Sequence, residues 1–101
     1  MYQLVLQFPT AAVDFDGLIA IEDELIRVVG DSANVDGHDF GSGEGNIFIL
    51  TEDVGGTWKV VLPALENLSI EGDATVAYRT VDGQRYTVLW PHDFSGEFSL
   101  A

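Results

Sequence analysis

The chain contains no cysteine and only four basic residues, Arg27, Lys59, Arg79 and Arg85. Without cysteine, neither a disulfide nor a thiolate metal site can brace the fold, which fits a reducing compartment. With so few bases it has little to offer a phosphate backbone or an anionic bilayer, and neither nucleic acid nor membrane is expected as a partner. No apolar run approaches the roughly 18 residues of a membrane span. The opening stretch MYQLVLQFP lacks the basic segment and the longer apolar region of a secretory signal. A cytoplasmic location is the expectation. Nucleophile-elbow chemistry is missing too: Ser42, Ser69, Ser95 and Ser99 stand in no GxSxG context, and Gly41-Ser42-Gly43 is not that motif.

What the chain does have is apolar mass and acid. Hydrophobic residues make up 47% of its 101 positions, too many for a disordered chain and enough for one core in one domain spanning residues 1–101. Seventeen Asp and Glu give a net charge of −13. The excess is uneven. Residues 1–53 hold eleven acids against Arg27, a net of −10, whereas residues 54–101 hold six acids against three bases, a net of −3. Such a surface either solubilises the domain or makes a field that steers a basic partner.

Local patterns define the elements. Tyr2–Phe8, with Leu4, Val5 and Leu6 contiguous, reads as a central strand covered on both sides and ended by Pro9. Asp14 is placed to cap a helix running to about Val29, where Gly30 stops it. Stepping 100° per residue puts Phe15, Leu18, Ile19, Leu25, Ile26 and Val29 on its apolar arc. Val35–Phe40 is a weak strand and Ile47–Leu50 a strong one, with the glycine-rich stretch Gly41–Gly45 read as a flexible hairpin tip. Val54, Trp58, Val61, Leu62, Leu65 and Leu68 share a helical face, in phase across Pro63, so one helix kinked at that proline is expected. Asp82-Gly83 is a type I′ turn dipeptide between β-forming runs. A two-residue loop there sets Val81 opposite Gln84, Arg79 opposite Tyr86, Ala77 opposite Val88 and Thr75 opposite Trp90. Arg79 over Tyr86 would be a cation–π pair worth about 0.5–1 kcal/mol. Pro91 closes that strand, and residues 92–101 read as an extended tail.

The order strand, helix, strand, strand, helix, strand, strand specifies an α+β domain. Its simplest arrangement is a ferredoxin-like βαββαβ sandwich with an additional C-terminal strand and two helices on one face of an antiparallel sheet. The opposite sheet face must then be solvated or bind something.

Three groups of residues are candidates for function. The hairpin from His38 through Asp39, Ser42 and Glu44 to Asn46 gathers polar side chains among glycines, which allow a backbone to approach a ligand closely. Glu44 would repel a phosphate, and the segment lies between strands rather than opening a helix. His38, Asp39 and Glu44 are metal-ligand types without an EF-hand or zinc spacing, so no metal or cofactor is expected. The segment is either a hairpin with turn glycines or an interaction loop. The last hairpin carries Arg79, Tyr86 and Trp90, residue types enriched at binding hot spots, although Trp90 equally suits the core. Glu22 falls inside the apolar arc of the first helix. It either reaches to water from the arc's edge or is a partly buried carboxylate with a raised pKa or an arginine partner. Finally, His92-Asp93 would meet His38-Asp39 only if the sheet order brings them together, the one route to acid–base or metal-dependent chemistry through His38 and His92.

The stretch VDGHDFGSGEGNIFILTED, placed after a helix in so short a chain, resembles small bacterial α/β domains of ferredoxin-like fold. The size, acidity and missing catalytic signature also resemble those of bacterial immunity proteins, which neutralise a toxin by binding it. Neither resemblance supplies catalytic residues. Together with the charge they imply a non-catalytic module binding a basic protein partner, with a homodimer by edge-strand pairing as a further expectation. The alternative is a ferredoxin-like regulatory domain that binds a small molecule at the sheet face or the helix–strand loops.

Overall fold

Strand β1 (Tyr2–Pro9) is the middle of the sheet because both its faces are apolar. Leu4, Leu6 and Phe8 point into the main core, while Val5 points the other way into a second, smaller cluster. The computed structural model describes residues 1–101. After β1 come α1 (Phe15–Val29), β2 (Asn34–Gly41), β3 (Glu44–Thr51), α2 (Val54–Asn67), β4 (Thr75–Thr80) and β5 (Thr87–Trp90). The sheet order is β2-β3-β1-β4-β5, with every neighbouring pair antiparallel. The protein is thus an α+β fold of two helices and a five-stranded antiparallel sheet, an order consistent with a ferredoxin-like arrangement. No helix is long and apolar enough to cross a membrane.

Both helices cover the same sheet face. Leu18, Ile21, Leu25 and Val29 of α1 and Val61, Ala64 and Leu65 of α2 pack with Leu4, Leu6, Ile47, Ile49 and Val76. Helix α1 begins and ends where its capping residues dictate: the Asp14 carboxylate accepts from the Gly17 N–H at 2.8 Å, and Gly30 takes a positive φ of 53° at the C-cap. Its buried stripe, however, is narrower than the apolar arc, because Phe15 and Ile26 remain exposed and Ile21 is buried in their place. Helix α2 runs uninterrupted through the exposed Pro63, with Asp53 as its N-cap. Leu68, expected on the buried face, is instead the exposed C-cap residue. On the buried side Thr57 shares a 2.8 Å hydroxyl–hydroxyl hydrogen bond with Thr51 of β3, which satisfies two polar groups inside the core.

The two hairpins exchange the turn chemistry expected of them. Gly41 faces Glu44 in the ladder, so the loop joining β2 to β3 is only Ser42-Gly43, with φ of 57° and 85°. Two central residues at positive φ define the tight type I′ geometry, so within the Gly41–Gly45 stretch only Ser42 and Gly43 lie outside the strand pairing. At the last hairpin neither Asp82 nor Gly83 has positive φ, and the turn there spans Thr80–Gly83, closed by Gly83 N–H to Thr80 C=O at 2.9 Å. A Cβ on Gly83 would lie 2.2 Å from Thr80 Oγ1, so a side chain there would displace the Thr80 hydroxyl. Pairing of β4 with β5 keeps Ala77 opposite Val88 but ends at Tyr78 opposite Thr87, and a bulge places Trp90 opposite Val76 rather than Thr75. Pro91, which has no N–H to donate, ends β5; its bond to Trp90 is cis.

The free sheet face is neither solvated nor vacant. Residues 91–101 fold back across it, and Phe98, only 8% exposed, packs on Val5 and Ala77 with Phe48, Tyr86, Val88 and Phe94 around it. The segment read as an extended tail is therefore the second cover of the sheet.

Candidate partner-binding surface

Helix α1 and edge strand β2 adjoin at one flank of the domain. Between Asp14 and Gly41 the chain carries eight carboxylates, Asp14, Asp16, Glu22, Asp23, Glu24, Asp31, Asp36 and Asp39, against one base, Arg27. That base is already engaged: its guanidinium donates to both Glu24 carboxylate oxygens one helical turn away. The hydrogen bond to Arg27 holds the Glu24 carboxyl below its ordinary range and raises Arg27 in turn. Arg27 is exposed and Glu24 half-buried at the surface, so the pair is screened by solvent and adds little to stability. Its consequence is electrostatic, since no free cation remains on the flank.

Within this acidic surface lies a group of aromatic side chains. Alternation along β2 sends His38 and Phe40 to the helix side of the sheet, opposite Ile47 and Gly45. There the Phe15 ring meets Phe40 edge-to-face at 5.5 Å and His38 at 5.9 Å. Gly45 makes the close packing possible, because a Cβ at that position would stand 3.1 Å from Leu18 Cδ2 and 3.4 Å from Phe40 Cδ1. Phe15 and Phe40 nevertheless stay 47% and 37% exposed. Glu22 completes the group. Its side chain, 13% exposed, accepts from His38 Nδ1 at 3.1 and 3.2 Å, so its partner is a histidine rather than an arginine. A carboxylate acceptor requires the proton to sit on Nδ1.

The remaining candidates separate into other places. Asp39 is exposed on the opposite side of β2 from His38, and Ser42 is exposed at the hairpin turn. Glu44 and Asn46 belong to the layer beneath residues 91–101. Gln7 Nε2 donates to Glu44, to Asn46 Oδ1 at 3.2 Å and to the Ser99 carbonyl at 3.0 Å, while Glu44 accepts from the Ala101 N–H at 2.6 Å. Asn46, at 1% exposure, faces its own chain and not solvent. Arg79 and Tyr86 also meet on this side, with Arg79 Cζ 5.8 Å from the Tyr86 ring centroid. Trp90 lies on the helix side, 6.0 Å from the Trp58 ring, with its indole N–H donating to the Glu71 carbonyl at 2.8 Å.

His38 and His92 do not converge. His38 is on β2 and His92 follows β5, the two opposite edges of the sheet, so the two His-Asp pairs form no joint site. No three His, Asp or Glu side chains are grouped as a metal ion would need. Phe15 and Phe40 belong to no motif. What sets them apart is their position: Phe15 is the first residue of α1 and packs on the edge strand β2, so both rings stay partly exposed. Comparison of the chain with protein-family models, with curated proteins and with solved structures gives no match in any of the three.

Proposed function

We propose that this domain is a non-catalytic protein-binding module whose partner is a basic protein, met through the flank of α1 and β2 as in an immunity- or inhibitor-type antagonist. The observation that carries the reading is the eight carboxylates and single, already paired base on those adjoining elements. A field of one sign accelerates encounter with an oppositely charged partner and suppresses the wrong ones. The fold is read with it as the split βαβ arrangement β1–α1–β2–β3–α2–β4, extended by β5; the adjacency of β1 and β3 in mid-sheet supports this. A homodimer by edge pairing would use β5, because β2 carries Asp36, Asp39 and a bulge between Val35 and Gly37. In a second copy those like charges would oppose one another.

The test is binding to a synthetic peptide rich in lysine and arginine, followed by calorimetry at rising salt. Affinity is expected to fall about tenfold or more between roughly 50 and 200 mM salt. Replacing Asp16, Asp23, Asp36 and Asp39 with asparagine removes four carboxylates from the net −13 and should weaken binding at low salt by a similar factor. Affinity indifferent to both salt and the fourfold variant would overturn the reading.

A second reading has its own observation. A concavity of about 380 Å³ opens between the β1–α1 connection and the end of α2, lined by Ala11, Val13, Ala20, Ile21, Leu68 and Ile70 among others. As a ligand-binding regulatory domain the protein would hold a small apolar molecule there. A ligand at 100 times its Kd adds roughly 2.7 kcal/mol, so a thermal-shift screen of apolar compounds should raise the melting point by several degrees. The effect should vanish on Ala20→Trp, which fills the concavity; a ligand shift that survives this variant places the ligand elsewhere.

A further inference from the structure

We infer that the Phe15–Phe40 pair is the anchor point of the acidic flank, and that it receives an arginine side chain from the basic partner. This rests on the module reading above and names the chemistry of its contact. The two phenyl rings lie in nearly perpendicular planes, 86° apart, and the faces of each carry the negative lobe of its quadrupole. Monomeric domains expose large aromatics at a cost in hydration, whereas the centres of interfaces are enriched in them. Here both rings are more than a third exposed although the main core lies directly beneath them at Leu18.

The surroundings select the occupant. An acidic or neutral apolar partner would have to bring its surface up to Asp14, Asp16 and Glu22, at and along the first half of α1, with no free base to receive it. A cation gains from both the rings and the carboxylates. Between the two cationic side chains, the planar guanidinium stacks on a ring while its edge still donates hydrogen bonds to carboxylates, which a point-charge ammonium cannot do together. Glu22 is tied to His38, which fixes the imidazole against Phe15. Asp16, next to Phe15 in the first turn of α1, is exposed and available to the guanidinium edge.

The experiment compares an oligo-arginine and an oligo-lysine peptide of equal charge against the wild-type chain and the variants Phe15→Ala, Phe40→Ala, Phe15→Leu and Phe40→Leu. The leucine variants keep apolar bulk without a ring face, and melting curves establish that each variant is folded. Wild type should bind the arginine peptide more tightly, with the Phe15 and Phe40 ring resonances shifting on titration. Each phenylalanine variant, leucine included, should lose about tenfold in affinity for that peptide and the preference over lysine with it. Salt-sensitive binding that ignores all four variants would overturn the anchor and leave the acidic module standing. No binding of either peptide to wild type would overturn both. Loss in the alanine variants with full rescue by leucine would show a merely apolar contact and overturn the arginine assignment.

Discussion

Phe98→Ala is expected to destabilise the domain by about 3 kcal/mol, near the lower end of measured losses for a buried phenylalanine. The two sides of the sheet are unequal. Fifteen buried hydrophobic residues fill the helix side, but on the other the buried hydrophobic residues are only Val5, Ala77 and Phe98. In so thin a layer one aromatic side chain supplies most of the cover. Its loss uncovers Val5 and Ala77 and releases the edge-on contact with Tyr86 at 5.0 Å. For a domain of this size the melting point should fall by roughly 12–20 °C, and the variant should bind an apolar fluorescent dye that wild type does not. Deleting residues 92–101 should reproduce most of the effect, since the other attachments of the segment, Gln7 to Ser99 and Glu44 to Ala101, are hydrogen bonds at its exposed rim. Phe98→Leu should cost about 1 kcal/mol. An unchanged midpoint in Phe98→Ala would mean that the segment does not cover the sheet in solution.

This second layer marks the limit of what was legible in the sequence. The three contiguous apolar residues of β1 implied burial on both faces, and Leu4, Val5 and Leu6 have it. The same reasoning implied a free face opposite the helices, because Phe94 and Phe98 sit among Ser, Gly and Glu with no periodicity to announce a docked segment. Helix α1 was legible to its caps, since Asp14 and Gly30 act within one turn of the backbone they terminate. Its buried stripe was less so. Angular position says which way a side chain points but not how much of the sheet covers it, and Phe15 meets only the edge strand β2 and stays 47% exposed. The pairing of Phe15 with Phe40 across two elements was invisible for the same reason, while the acidity of the flank was plain.

The hairpins show a different failure. Asp-Gly is the stronger I′ dipeptide, yet Ser42-Gly43 takes that turn and Asp82-Gly83 does not. At the last hairpin a side chain competes with the turn dipeptide: the Arg79 guanidinium gathers the carbonyls of Val81 and Gly83, two and four residues on. The cross-strand approach of Arg79 to Tyr86 was legible from spacing alone. That Arg79 would organise the loop, rather than lie exposed for a partner, was not.

Arg79→Ala should therefore act on the fold, with an expected loss of about 2 kcal/mol, in the range of charge-assisted hydrogen bonds. Nε donates to Gln3 Oε1 at 3.0 Å and to the Tyr86 hydroxyl at 3.3 Å, and Nη1 donates to the carbonyls of Thr80, Val81 and Gly83 at 3.2, 2.6 and 2.9 Å. Arg79→Lys separates charge from geometry. Lysine retains the positive charge in a chain of net −13, but a single ammonium cannot reach both Gln3 and the loop carbonyls, so it should recover less than half of the loss. Amide exchange across residues 81–86 should quicken in both variants while that of β1 changes only with global stability. Full recovery by lysine would reduce the role of Arg79 to charge. Tyr86 links this site to the sheet cover, standing under Arg79 and against Phe98. The double variant Arg79→Ala/Phe98→Ala should accordingly fall short of the summed losses by about 1 kcal/mol, because once either support is gone Tyr86 no longer transmits the other.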